Sequence, residues 1–293
     1  MNFDDIITSS NKQEQNNMPF NKDEWAKKKQ AERQELYDLA DKTAEEIKSD
    51  SLKFKQYLDI QAQFNVYSVN NALLISAQMP SATQIKEYDD WRKAGAFVHK
   101  NPVFIKILEP SESYNKTDNT TRTFYNPKRM LDISQTNARP RENTRNYSDR
   151  DLLKAFLHEC PVDVSSVDNL PDGKGAEWNK EDNVLYIRKG LESPAIFNAL
   201  SVELAKVGLE ESGNQELDNF KSYCASYLVC KKYGIDVSSY NFDNLPETLK
   251  DMESSDIKNM LGDIRGAMED MNARMSSCFE QIAREQKNKA YER

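Results

Sequence analysis

The sequence predicts an α+β protein: a helix-rich N-terminal domain with a small antiparallel sheet, a second α+β domain, and one long C-terminal helix. Three observations lead there. Breakers are scarce, with 9 Gly and 10 Pro in 293 residues, against averages of about 7% and 5%. Apolar residues recur at helical spacing up to Gly95, then switch to short β-branched and aromatic runs. The last stretch carries apolar residues at Ile257, Leu261, Ile264, Met268, Met271, Met275, Cys278 and Ile282. Its alternating steps of four and three make a heptad stripe.

Residues 1–20, rich in Asn, Gln and Ser, are expected to be a disordered tail. Asn21 with Glu24 reads as a capping box opening a helix through Trp25, Leu36, Tyr37, Ala40 and Ile47. Ser51 is expected to cap a second helix, with Phe54, Tyr57, Leu58, Ile60 and Phe64 apolar. A third runs from about Ser68 through Leu73, Leu74 and Ile75. It stops before Pro80, because the residue before proline avoids the helical region. A short helix through Tyr88 and Trp91 ends at Gly95. Phe97-Val98, Val103–Leu108 and Thr123–Tyr125 read as strands, and the polar segment 111–122 reads as the loop of their hairpin.

The polar stretch 135–149, with one Pro and three Arg, is the expected domain boundary. It separates a domain at 21–140 from one at 148–293. Ser148 caps a helix from Asp149 to about Glu159. Strands follow near Val162–Val164 and Asn183–Arg188, then helices from Ser193 to about Glu211 and from Gln215 to Tyr233. Gly234 stands where a left-handed residue closes a helix. The heptad helix, from Asp256 to about Gln286, is either a coiled coil or partner-binding helix that supports self-association, or a helix packed on its own domain.

Composition excludes several classes. No apolar run approaches the ~18 residues of a membrane span, and the acidic N-terminus has no apolar signal region. The cysteines, Cys160, Cys224, Cys230 and Cys278, lack CxxC spacing and have two histidines to join them. They read as reduced thiols of a cytoplasmic protein, not as a zinc finger or a secreted disulfide scaffold. No cofactor is expected. The net charge of −8 is uneven: 23 Lys/Arg against 22 Asp/Glu before residue 151, then 17 against 26. From Arg92 to Arg150 there are 12 basic and 6 acidic residues, the stretch a nucleic acid would choose.

A set of spaced motifs then carries a resemblance. They are Tyr67-Ser68-x-x-Asn71, Gln78-Met79-Pro80-x-Ala82-Thr83, Tyr88-x-x-Trp91, Ile107-Leu108-Glu109-Pro110 and Asp132-Ile133-Ser134-Gln135-Thr136. Further on come Cys224–Cys230 and Tyr233-Gly234-Ile235-Asp236. In this order, over most of 30–290, the chain resembles the ArdC-like and LtrC-like antirestriction proteins of plasmids and conjugative elements. The resemblance implies a first domain that binds single-stranded DNA and a second on a zinc-metallopeptidase plan. Such a peptidase needs His-Glu-x-x-His on one helix, two imidazoles holding the metal and the Glu activating water. Here the matching stretch is Val202-Glu203-Leu204-Ala205-Lys206, and Tyr223 falls at the third ligand position. Glu203 alone survives, as a vestige. The expectation is therefore no metal and no hydrolase. Lys206, on the same helix face three residues on, either places its ammonium where the metal charge would be or is simply solvated.

Single-strand binding needs cations along a groove and aromatic faces on which bases stack. The candidates are Tyr67, Asn71, Trp91, Lys100, Lys106, Tyr125, Lys128 and Arg129, with Tyr88, Lys86, Arg92, Lys93 and Asn70 behind them. The leading reading is a single-stranded-DNA-binding accessory protein of a mobile element with an inactive peptidase-like domain. Two others stay open: a protein-interaction module or restriction-enzyme inhibitor acting through the acidic half, and a residual hydrolase that works without metal.

Overall fold

The structure is a computed structural model that describes residues 21–115, 120–140 and 147–291. The expected tail at 1–20 and the middle of the expected linker lie outside the described residues. Helix α1 (Lys22–Ile47) starts at Asn21, whose side-chain oxygen accepts from the amides of Asp23 and Glu24. Helix α2 (Ser51–Gln63) is capped by Asp50, one residue earlier than expected, because Asp50 Oδ1 reaches the Lys53 amide at 3.0 Å. Helix α3 (Val69–Gln78) is capped by Ser68 and ends before Pro80. The short α4 (Tyr88–Lys93) stops at Gly95, whose φ of +79° suits a residue with no Cβ.

An antiparallel sheet follows from β1 (Ile85–Lys86), β2 (Ile105–Asn115) and β3 (Thr120–Asp132), ordered β1-β3-β2. It corrects two expectations and adds a strand. Residues 111–115 and 120–122 are not loop: β2 and β3 stay paired out to Asn115↔Thr120. Thr120, Thr121 and Thr123 are β-branched and suit a ladder solvated on both faces, whose polarity looks like a loop. Phe97-Val98 is not a strand but makes one isolated bridge, Val98↔Thr136. The two-residue β1 was not anticipated.

The rest begins with α5 (Asp149–Leu157), capped by Ser148 as expected. Strands β4 (Asp163–Val167), β5 (Ala176–Asn179) and β6 (Val184–Arg188) form a mixed sheet, β4-β6-β5. β4 runs parallel to β6 and β5 antiparallel to it. Helices α6 (Ser193–Gly208) and α7 (Gln215–Lys232) pack on each other, and Gly234 closes α7 at φ +65°. Helix α8 (Ser254–Tyr291) ends the described chain.

One apolar core runs from Leu36 in α1 to Cys278 in α8 and includes residues of both halves. Helix α2 packs on α7, where Asp59 accepts from Tyr227 at 2.5 Å and pairs with Lys231. Seven of the eight heptad positions of α8, Ile257 through Cys278, are buried within the chain; Ile282 packs against the same core. Helices α1, α5 and α7 supply the neighbours. The stripe is therefore covered by the protein's own helices. A second cluster of Trp91, Ala96, Leu131 and Ile133 sits apart from the main core.

Candidate functional site

The sheet positions the sequence candidates, and it divides them. Ile85, Ile105, Ile107 and Met130 belong to the helical core, while Leu131 packs with Trp91. Successive strand residues point to opposite faces. The register pairs Lys106 with Arg129 and Ile107 with Lys128, so Lys128 and Arg129, neighbours in sequence, lie on opposite faces.

Several candidates turn out to hold the fold. Strand β2 is an edge, and an edge exposes unpaired backbone groups. Side-chain amides close it. Asn71 donates to the Leu108 carbonyl at 2.9 Å and accepts from the Leu108 amide at 2.8 Å. Gln78 grips Lys106 the same way, at 2.8 and 2.9 Å, and Gln135 grips Val103 at 2.7 and 2.6 Å. Asn71 is thus buried and fully engaged, which corrects its reading as a DNA contact. Trp91 is corrected likewise: it is 2% exposed and its indole N–H donates to the Leu131 carbonyl at 2.8 Å. It offers no face to a base. Lys106 pairs with Glu32 at 3.2 Å. Lys128 pairs with Glu87 at 2.7 Å and Glu109 at 2.5 Å. Burial pulls its ammonium down, but Glu109 and Glu87 outweigh that and hold it above the ordinary lysine range. These two lysines are internally neutralised.

The Asp132–Thr136 motif is also a clamp. Asp132 accepts from the amides of Thr83, Gln84 and Ser134 at 2.8–3.0 Å. Burial pushes this carboxyl up, yet those three amides prevail and set it below the usual carboxylate range. The residues that carry the family resemblance in this half are thus largely those that tie the sheet to α3 and the 83–84 turn.

What remains open to a ligand falls in two places. Tyr67, Tyr125 and Lys128 line one cleft of about 400 Å³, with Val66, Pro110 and Arg265. Tyr67 is half-buried, with Phe64 beside it at 6.1 Å between ring centres. Tyr125 is exposed. The second place is the sheet face away from the core, with the loop between α4 and β2. Arg129 is exposed there over the Phe104 ring at 5.6 Å, and Lys86 lies over Trp91 at 4.9 Å. Lys100 and Arg92 are exposed nearby in sequence. Among the described residues none of these four cations has a carboxylate partner, whereas Lys29, Lys53, Lys93, Lys106 and Lys128 all do. Phe97 is 76% exposed and Val103 65%. Sequence reasoning passed over Phe97 because an aromatic beside Val reads as strand core. Its signal was the following Val98-His99-Lys100-Asn101, too polar to continue a buried run.

In the other half, Glu203 is buried on α6. Its Oε2 accepts from the Trp178 amide of β5 at 3.0 Å, and its Oε1 accepts from Lys206 Nζ at 2.7 Å. Of the two readings of Lys206, the structure shows the ion pair. Tyr223 packs at a tilt against the rings of Tyr240 and Phe242, and its hydroxyl accepts from the Asn241 amide at 2.8 Å. Both Glu203 oxygens are occupied, Val202 has no donor atom, and Lys206 presents a cation. Among the described residues no three of His, Cys, Asp and Glu lie close enough to hold a metal. These residues do not fit a zinc-peptidase centre, and no metal-dependent step is derived from them. A cleft of about 450 Å³ lies beside the pair, walled by Trp178, Lys206, Leu209, Gln215 and Asn219.

Fold and site thus define an α+β protein with two sheet-face cations, Lys86 and Arg129, that have no carboxylate partner among the described residues, and, in place of a metal-ligand set, a buried carboxylate paired with Lys206. No protein-family model matches the chain. It is similar to the uncharacterized protein pXO2-81 of Bacillus anthracis, 22% identical over a 306-residue alignment that covers 82% of this chain and 51% of that one. The chain therefore spans about half the length of this curated relative. Among solved structures it is similar to the antirestriction protein ArdC from plasmid R388. The metal-free form gives a TM-score of 0.48 at 12% identity, covering 72% of this chain and 86% of that one. The Mn(II)-bound form gives 0.49 at 12% identity, covering 71% and 85%. No helix among the described residues is long and apolar enough to cross a membrane.

Proposed function

We propose that the chain is a single-stranded-DNA-binding, antirestriction-type accessory protein of a mobile element, with residues 21–140 making the DNA contact and 148–293 forming a peptidase-like unit without hydrolytic activity. The observation that carries this reading is a set of cations without carboxylate partners among the described residues: Lys86 and Arg129 on the outer sheet face, Arg92 on α4 and Lys100 in the loop before β2. Phosphates need such charges. Exposed Phe97 and Tyr125 supply rings on which bases stack without sequence choice. The motifs shared with the ArdC-like and LtrC-like proteins support the same assignment.

The account of the second half rests on its donor set. Without imidazoles beside Glu203 there is no metal-bound water for it to activate, and its carboxylate is engaged with Lys206 and the Trp178 amide. The test of the DNA reading is a titration of the full chain with a labelled, unstructured oligonucleotide. Phe97→Ala should weaken binding by ~1–3 kcal/mol, the worth of one stacked base, with the salt dependence unchanged. Full-strength binding of the folded Phe97→Ala protein would remove this ring from the interface. Absence of DNA binding by the wild-type chain would favour the protein-interaction reading, for which exposed Phe97 and Val103 would be the contact.

A further inference from the structure

The largest cleft described, of about 670 Å³, lies between the two halves of the chain. One wall holds Asn65 after α2 and Thr83 and Gln84 before β1; the other holds Lys231 and Lys232 at the end of α7. Among the described residues no carboxylate lines it. The two lysines differ. Lys231 is committed to Asp59. Lys232 is half-buried, and among the described residues its ammonium has no carboxylate or hydrogen-bond partner; its neighbour is the Tyr233 ring at 5.8 Å. Burial holds it below the ordinary lysine range, with Glu269 acting weakly the other way. Glu269 is itself engaged by Arg265 at 2.5 Å. A last-turn lysine complements the helix dipole, but that role is served at the surface. It does not account for a half-buried, uncompensated ammonium in a polar cleft, which is costly unless an anion meets it.

We propose that this cleft is a phosphate site for the backbone of the bound strand, with Lys232 as its cation and Asn65, Thr83 and Gln84 as neutral donors. One charge ringed by neutral donors matches a phosphodiester, which carries one negative charge. The site is continuous with the outer sheet face. Gln84 stands two residues from Lys86, and Ile133 both lines the cleft and packs under Trp91. A strand crossing Arg129 and Lys86 can therefore continue to α7, which makes the second half a contributor to DNA binding despite its net negative charge. This inference rests on the DNA-binding reading above.

The test measures binding of a fluorescein-labelled, unstructured oligonucleotide to the full chain across a salt series. Four variants are compared: Lys232→Gln, Lys232→Arg, Arg129→Gln and, as a control for generic charge loss, Lys250→Gln. Lys232→Gln should weaken binding about 3- to 10-fold at low salt and flatten the log K against log salt slope by ~0.7, the value for one phosphate on a single strand. Lys232→Arg keeps the charge and should keep the slope. It therefore shows whether a loss in the Gln variant comes from the charge or from the fold. If Arg129→Gln weakens binding while Lys232→Gln, folded by circular dichroism, behaves like Lys250→Gln, the cleft is not a phosphate site and the DNA reading stands. If the wild-type chain binds no oligonucleotide at low salt, the DNA reading falls and the proposed ligand of this cleft falls with it.

Discussion

Asp132 shows how a residue that looks like part of a site is fixed by its hydrogen bonds instead. Three backbone amides converge on it, and the folded carboxyl is held below its ordinary range. A depressed carboxylate contributes stability at neutral pH that is lost as pH falls through its folded value. Asp132→Asn should therefore cost about 1–3 kcal/mol at pH 7. The gap to wild type should close as the pH drops below about 4, the ordinary aspartate range. Urea unfolding at several pH values checks this; a gap independent of pH would show that the charge is not what the amides hold. Trp91→Ala should cost ~3–5 kcal/mol as a core truncation and act on DNA binding only through folding. The sequence showed which aromatics exist but not which are buried. Trp91 and Phe97 sit six residues apart, one 2% and the other 76% exposed. Only the indole bond to a strand 40 residues away decides between them.

At the scale of elements, the sequence was most informative where a local signal sufficed. Asn21 and Ser148 cap the helices they were expected to cap, because capping needs only the next three amides. Strands β1 and β5, of two and four residues, are too short to show a period and exist through pairing with β3 and β6. For α8 the heptad period was plain, but period alone does not say what covers the stripe. The structure places it against α1, α5 and α7. Ile264→Asp should consequently lower unfolding free energy by at least ~2–5 kcal/mol, the cost of removing such a side chain from a core. Unchanged unfolding would mean that the stripe is not buried in solution. Helix α6 carries the second legible feature, the Val202-Glu203-x-x-Lys206 pattern, and its ion pair could be read from i,i+3 spacing. The Trp178 amide on Glu203 could not, since it comes from a strand 25 residues earlier. Glu203→Ala should leave that amide and Lys206 without their partner, costing about 1–3 kcal/mol. It should change no hydrolytic rate. Elemental analysis of untagged protein should find no stoichiometric zinc. One zinc per chain, lost on mutating α6, would contradict this.

Across the whole molecule, one core joins both halves through α2, α7 and α8, so the proposed DNA contact belongs to the full chain and not to a fragment. The charge asymmetry was legible in the sequence, but its useful part was not. Lys106 and Lys128 spend their charge on Glu32, Glu87 and Glu109, and only three-dimensional pairing leaves Lys86, Arg92, Lys100 and Arg129 without a carboxylate among the described residues. The central claim is that these charges meet a single DNA strand. The most direct measurement is the affinity of the full chain for an unstructured oligonucleotide as a function of salt. Each neutralised phosphate contributes about −0.7 to the slope of log K against log salt. Four such contacts should give a slope near −3, flattened by ~0.7 in Arg129→Gln and unaltered in Lys93→Gln, whose charge is already paired with Asp90. Binding that is absent at low salt, or that is insensitive to salt and to Arg129, would contradict the account.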